Sequence, residues 1–247
     1  MIRQIPKSSS KNRPPPPNSF GLRGETLNRV SAGGTNKYKH VIWDWNGTII
    51  DDVDWCVRCM NTMLARRGLP QLSGTEQYRS VFCFPVIEYY KKVGFDFEKE
   101  PFEALAEEYI SLYQSEDSDI RLYPGVETVL QTLAEHGARQ TVLSASEQQN
   151  LFSQLRRFSI EPYFEAVLGI SDIYAGSKVE RAKEYLSGAE TSRVLVIGDT
   201  SHDAEVAREL GADCVLVACG HEGRASLLQN GVPVLASVSG VLDLFRQ

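Results

Sequence analysis

The chain has no apolar run long enough to cross a bilayer, so nothing in its hydropathy predicts a membrane partner. Its cysteines are few and odd in number: Cys56, Cys59, Cys83, Cys214 and Cys219. Their spacing forms no disulfide framework. The one CxxC, at Cys56 and Cys59, lacks a second pair to complete a tetrahedral metal site. Reduced thiols in a reducing compartment are expected, with the cytoplasm as the default location. Basic residues are scarce where nucleic-acid binding would need them. Residues 1–39 carry eight Lys and Arg against Glu25 alone. With a formal charge of −6 over all 247 residues, the remainder must sit near −13. An acidic body lacks the basic stripe that phosphate backbones require and gives no support to nucleic acid as a partner.

What is present divides the chain into three parts. Residues 1–36 are rich in Ser, Asn, Arg and Gly and contain four consecutive prolines, Pro14 to Pro17. Without apolar periodicity, this stretch is expected to be a disordered or extended basic tail. Its Arg and Ser content resembles an organelle transit peptide, so targeting is the alternative, although the prolines oppose the amphipathic helix such peptides use. From residue 37 onward, short apolar runs at 41–43, 140–143, 166–168, 194–197, 214–217 and 232–235 read as strands. Helical patterns alternate with them at 125–136, 146–158, 178–187, 202–210, 222–229 and 238–246. Such alternation predicts an α/β, Rossmann-like three-layer core with a parallel sheet covered on both faces. Ligands of such sheets bind beyond the carboxyl ends of the strands.

Between residues 54 and 120 the pattern changes. Helical periodicity alone runs through 53–67, 75–82, 86–93 and 102–113, broken by GLP (68–70) and Gly94. We read residues 37–53 and 121–247 as the core and 54–120 as an all-helical cap inserted over the strand ends.

Four segments at predicted strand ends supply the polar groups: HVIWDWNGT (40–48), VLSAS (142–146), SKVE (177–180) and GDTSHD (198–203). Together they gather Asp44, Ser144, Lys178, Asp199 and Asp203 at one sheet edge. This set suits phosphoryl transfer. A carboxylate can attack phosphorus and divide one hard displacement into two easier ones. Attack by an anion on a dianion needs positive charge nearby, and Mg²⁺ prefers oxygen ligands of the kind that Asp44, Asp199 and a backbone carbonyl offer. Lys178 would offset phosphoryl charge, while Ser144, Ala145 and turn amides would donate hydrogen bonds. The expected substrate is a small phosphorylated molecule. Oligomeric state is not readable from the sequence.

The four segments, in this order and with a helical insert after the first, resemble the haloacid dehalogenase superfamily. Within it, YPG (123–125) and GDTSHD (198–203) are similar to the phosphoglycolate phosphatase branch. The resemblance implies Asp44 as nucleophile, Thr48 as a loop support in contact with substrate, Ser144 as a phosphate-binding hydroxyl and Lys178 as a clamp. It further implies a Mg²⁺ site made by Asp44, the Asn46 carbonyl, Asp199 and Asp203, the last direct or through water. Dehalogenase chemistry itself is disfavoured, because it needs no such metal ligands. A mutase or a nucleotide phosphatase on the same scaffold is the nearest rival.

Asn46 departs from the pattern. Most phosphatases of this superfamily carry an aspartate there as general acid and base, and an amide cannot shuttle a proton. Such help contributes roughly 10²–10⁴-fold. Three readings follow: a substrate whose leaving group needs little protonation, such as an aryl or acyl phosphate; a substitute acid, Asp51, Asp52 or a residue of the cap; or a weakly catalytic binding protein. Ser146 is the expected N-cap of the helix that follows it. Thr200 and His202 read as structural, and His221 as an ordinary loop histidine. In the cap, Arg79 or Lys91 is the candidate clamp for a substrate carboxylate. Phe82, Phe84 and Tyr89 read as cap core.

Overall fold

The computed structural model describes residues 37–115, 119–170, 178–188 and 191–245. The tail 1–36, with its proline run and its targeting alternative, and Ser177 lie outside the described residues.

In chain order the strands are β1 (His40–Trp43), β2 (Ile50–Asp51), β3 (Arg121–Leu122), β4 (Arg139–Glu147), β5 (Ala166–Ile170), β6 (Val194–Gly198), β7 (Asp213–Val217) and β8 (Val234–Leu235). Six of them form one sheet in the order β5-β4-β1-β6-β7-β8, with every pairing parallel. The short strands β2 and β3 pair antiparallel with each other, Ile50 opposite Leu122 and Asp51 opposite Arg121. This ribbon, too short to leave a periodic signal, stands where the helical insert leaves and rejoins the core.

The insert consists of α1 (Val53–Arg66), α2 (Thr75–Val81), α3 (Val86–Lys92) and α4 (Phe102–Tyr113). It has a hydrophobic cluster of its own, in which Met60, Met63 and Leu64 of α1 pack with Tyr78, Tyr89, Tyr90 and Leu105. The stripe on α1 follows from apolar residues at helical spacing.

In the core, α5 (Val126–Glu135) and α6 (Gln148–Arg157) cover one face of the sheet. Helices α7 (Lys178–Tyr185) and α8 (Ser201–Leu210) cover the other. Alternation along the strands divides their side chains between the two faces. Val41, Trp43, Leu195 and Ile197 pack with α5 and α6, whereas Ile42, Val194 and Val196 pack with α7 and α8. The chain proceeds from β1 to β4 and β5 on one side, then returns to β6 on the other. The crevice beyond β1 is therefore the topological switch point at which ligands of such sheets bind.

Three expectations are corrected. The strand at 140–143 continues to Glu147, with a register shift between Leu143 and Glu147 against β5, so Ser144 lies within it. The cap of α6 is Glu147, whose carboxylate accepts from the amides of Gln149 and Asn150, while the Ser146 hydroxyl donates to Asn46 instead. The helix expected at 238–246 is a 3-10 run, Val238–Leu244, and that at 222–229 is the short α9 (Arg224–Leu227) followed by another 3-10 turn.

One buried titratable group on β1 makes stability depend on pH. His40 is 2% exposed, with Nε2 at 2.8 Å from Thr141 Oγ1. Burial, with the Arg139 cation adding to it, pushes its pKa down from 6.5 to about 4. Between those values the unfolded chain binds the proton that the folded one refuses. The contribution is therefore complete above pH 6.5 and is lost as pH falls toward about 4, with an upper limit of about 3 kcal/mol. Urea unfolding across this range should show a steep fall toward acid in the wild type and a shallower one in His40→Gln. Equal slopes would remove His40 as the cause.

Candidate active site

Asp44 directly follows β1, and its amide continues the strand ladder by donating to Ile197 O at 2.8 Å. Its carboxylate is held from two sides. Lys178 Nζ, on the first residue of α7, donates to Oδ1 at 2.5 Å, and Thr48 Oγ1 lies 3.2 Å from Oδ2. The same ammonium donates to Asp203 Oδ1 at 2.6 Å. The Thr48 hydroxyl also lies 2.9 Å from Asp199 Oδ1, and its single proton serves one carboxylate at a time. Asp199 accepts from the amide of His221 at 2.6 Å. Asp44, Asp199 and Asp203 each offer an oxygen, and these three lie within 4.8 Å of one another.

All these groups are buried, which sets their ionisation. Burial pushes the Asp44 carboxyl up, against the opposing pull of Lys178. Asp199 is raised well above the usual carboxylate range, again by burial, with Asp44 and Asp203 adding to it and His221 opposing. For Asp203, burial is outweighed by Lys178 and Thr200, so its carboxyl is lowered. Burial also opposes the charge on Lys178, but its two carboxylate partners outweigh that and raise its pKa. Three buried carboxylates gather beside one lysine that pairs with two of them, an oxygen-rich and negatively charged set of the sort that a hard divalent cation occupies.

Close backbone approach makes this clustering feasible. Gly47 has φ +71°, and a Cβ there would collide with Asp199 Oδ2 and His221 Cδ2. On Gly220, a Cβ would meet the Asp199 carboxylate. Asp203 has a second function at the start of α8: Thr200 caps the helix, and its amide and hydroxyl both donate to Asp203 Oδ2. The structural reading of Thr200 agrees with this arrangement.

Asn46 is fixed at both ends of its side-chain amide. Nδ2 donates to Asp52 Oδ2 and to Tyr113 OH, both at 2.8 Å, and Oδ1 accepts from Ser146 Oγ at 2.9 Å. Asp52 receives four further donors: the Tyr113 hydroxyl at 2.7 Å, the Gly47 amide at 2.9 Å, His221 Nε2 at 3.2 Å and the Cys56 thiol at 3.6 Å. Burial alone would raise Asp52, but His221, Asn46 and Tyr113 outweigh it and hold the carboxyl low. Asp52 is a satisfied carboxylate and not a proton donor. Asp51 is exposed on β2 and does not line the cavity.

A cavity of about 560 Å³ opens over these groups. Asp44, Asn46, Ser144, Ala145, Lys178 and Asp199 line one part of it. Ser144 Oγ accepts from the Ser146 amide at 3.0 Å. Arg79 is a correction. Its Nε and Nη2 each donate at 2.8 Å to the carbonyls of Gly220 and Cys219, so it ties down the loop after β7 and takes no part in the lining. Lys91 pairs with Glu88 in the open and is likewise absent from the cavity. Phe82, Phe84 and Tyr89, expected as cap core alone, also face the cavity.

Sequence reasoning undervalued His221. It is buried, its ring nitrogens lie within bonding distance of Asp52 and the Tyr78 hydroxyl (Nδ1 to OH, 2.9 Å), and its amide holds Asp199. Burial lowers its pKa, yet Asp52 and then Asp199 outweigh that and raise it to about 9. The contact with Tyr113 left no signal in the sequence, because it forms 67 positions away from Asn46.

Comparison with known proteins agrees with this geometry. The sequence profile of the haloacid dehalogenase-like hydrolases matches residues 41–217. The chain belongs to that family. It is 29% identical over 189 residues to the phosphoglycolate phosphatase of Caulobacter vibrioides, covering 73% of this chain and 79% of that one. It is 27% identical over 227 residues to the tyrosine-protein kinase PtkA of Mycobacterium tuberculosis, covering 89% of this chain and 75% of that one. A haloacid dehalogenase-like family protein of Streptococcus pneumoniae shares the fold, with TM-score 0.74, 18% identity and coverage of 85% and 99%. Like other members of the family this chain is a hydrolase, and none of its described helices is long and apolar enough to cross a membrane.

Replacing Arg79 by Met should release the loop at residues 219–221 and cost about 1–3 kcal/mol of stability. Amide exchange there should accelerate, and KM values for carboxylated and uncharged substrates should shift together. A loss confined to carboxylated substrates would restore Arg79 as a clamp.

Proposed function

We propose that this hydrolase is a Mg²⁺-dependent phosphoric monoester hydrolase that carries the phosphoryl group on Asp44. The observation that carries the proposal is the buried cluster of Asp44, Asp199 and Asp203 at the switch point of the sheet, with the Lys178 ammonium bound to Asp44 and Asp203. An Asp44 oxygen attacks phosphorus, and the P–O bond to the organic group breaks with its electron pair on the departing oxygen. Water then attacks phosphorus and the bond to Asp44 breaks, which restores the carboxylate and releases phosphate. Lys178 offsets charge on Asp44 and the phosphoryl oxygens, held in place by Asp203. Thr48, Ser144 and the backbone at Ala145 bind the remaining oxygens. Asp44, Asp199 and Asp203, with the Asn46 carbonyl, are the proposed holders of Mg²⁺, which when bound supplies positive charge to the phosphoryl group.

The division of labour follows the chain. Residues 37–53 and 121–247 carry the chemistry, and 54–120 cover it and select the organic part. Relatives named phosphoglycolate phosphatase put that ester among the small phosphorylated molecules to be tried. The free thiols of all five cysteines accord with the cytoplasm as the place of action.

A second reading is phosphoryl transfer from Asp44 to an acceptor other than water. It is favoured by Asn46, whose amide offers no base to activate water. Product analysis separates the two: free phosphate equal to substrate consumed supports hydrolysis, and a shortfall matched by a phosphorylated acceptor supports transfer.

Hydrolysis of 4-nitrophenyl phosphate should require Mg²⁺, stop with EDTA and fall by about 10³-fold or more in Asp44→Asn. Undiminished turnover by a folded Asp44→Asn protein would overturn the nucleophile. The variant Asn46→Asp should gain at least about tenfold on alkyl phosphates and much less on aryl ones, because acid help matters most for a poor leaving group. The neighbouring Asp52 carboxylate favours the protonated form of an introduced acid. An equal response on both ester classes would show that protonation is not what Asn46 lacks.

A further inference from the structure

The groups around Asp44 occupy only one part of the cavity. The insert supplies an aromatic wall to the same cavity: Tyr78 and Phe82 from α2 and its end, Tyr89 and Tyr90 from α3, Tyr109 and Tyr113 from α4. Tyr78 and Phe82 stack with centroids 5.3 Å apart at 26°, and Tyr109 and Tyr113 stack at 6.2 Å and 24°. A volume of about 560 Å³ suits a drug-sized organic molecule and far exceeds what a phosphoryl group on a short carboxylate fills. Among the described residues, the basic side chains along this lining are Lys178, engaged by Asp44 and Asp203, Arg157 on α6, and the histidines His202 and His221.

The stacked wall points to a planar organic group, since aromatic faces favour stacked or edge-on rings.

The polar part of the cavity restricts the same group from the other end. Asn46 cannot give a proton to the departing oxygen, and both side-chain oxygens of Asp52 beside it are already taken up by donors within the protein. The leaving oxygen must therefore depart as an anion. A phenol ionises near pKa ~10, like tyrosine, and aliphatic alcohols far higher, so a phenolate leaves unaided where an alkoxide does not.

Resting on the phospho-Asp44 reading above, we propose that the substrate of this site is the phosphate monoester of a phenol, its ring seated against the aromatic wall. The Asp44 oxygen bonds to phosphorus as the P–O(aryl) bond breaks, and the phenolate takes the electron pair. Water then adds to phosphorus as the Asp44–phosphorus bond breaks, giving dihydrogen phosphate. One proton passes from that product through solvent to the phenolate, so the balance is aryl phosphate plus water to phenol plus hydrogen phosphate, with no protein acid needed.

The test compares phenyl phosphate, benzyl phosphate and phosphoglycolate as substrates of the full chain with Mg²⁺. Benzyl phosphate keeps the ring but leaves as an alkoxide. The kcat/KM for phenyl phosphate should exceed both others by about 100-fold or more. In parallel, benzylphosphonate should bind at least about tenfold tighter than methylphosphonate by calorimetry, and this ratio should fall toward unity in Val86→Trp, which fills the cavity. A variant that fails to fold would lose both ligands and is recognised by that. Turnover of phosphoglycolate or benzyl phosphate as fast as phenyl phosphate would overturn the phenolic substrate and leave Asp44 standing. Equal affinities of the two phosphonates would overturn the ring site whatever the turnover. If no ester is hydrolysed and Asp44→Asn changes nothing, the reaction on Asp44 is what fails.

Discussion

The arrangement depends on one ammonium between two carboxylates. Lys178 sits at the first position of α7, where the helix dipole disfavours a cation, and it is held there by Asp44 and Asp203. Burying three charges is costly, and only tight mutual pairing offsets it. The pairing also joins distant parts of the chain. Asp44 belongs to the end of β1, Asp203 to the first turn of α8, and Lys178 to the helix between β5 and β6. Two helices and the central strand are thereby set in register at the place where the sheet order turns. Asp203 is doubly committed, because the oxygen that does not face Lys178 closes the cap of α8. A change at Thr200 would reach Asp44 through three hydrogen-bonded steps.

A second junction lies at Asn46. Its amide meets Ser146 from the core strand β4, Tyr113 from the last helix of the insert, and Asp52 from the start of the first. The residue that cannot move a proton thus links the nucleophile's loop to both ends of the insert. Its position explains how an aromatic wall and a charged floor, built from separate stretches of sequence, come to face one cavity. The chemistry can stay constant while the wall changes, because few residues contribute to both.

Much of this was legible in the sequence, for identifiable reasons. Asp44 and Asp199 directly follow β1 and β6, and alternation of apolar runs with helical stretches located those ends. The parallel sheet and the helical insert follow from the same periodicities. What could not be read depended on contacts across long separations. Arg79 has the right chemistry for a carboxylate, and only the fold reveals that two carbonyls of a loop 140 residues away take it up. His221 looks ordinary in ACGH (218–221) because its partners, Asp52 and Tyr78, lie 143 or more positions earlier in the chain. The cap of α6 was misplaced by one residue because a serine is the stronger generic cap, whereas here its hydroxyl is taken up by Asn46.

The hydrogen bonds around Gly47 bear on the chemical ageing of the protein. An Asn-Gly pair in a loose chain loses ammonia when the glycine nitrogen attacks the side-chain carbonyl, forming a cyclic imide that opens to aspartate or isoaspartate. Here the Gly47 nitrogen is occupied by Ile50 O at 3.0 Å and Asp52 Oδ1 at 2.9 Å, and the Asn46 carboxamide is held at both ends. The nitrogen and carbonyl carbon cannot approach without breaking that set. The folded molecule therefore preserves its asparagine, and only excursions to the unfolded state would let time convert position 46 into the acid that the sequence omits.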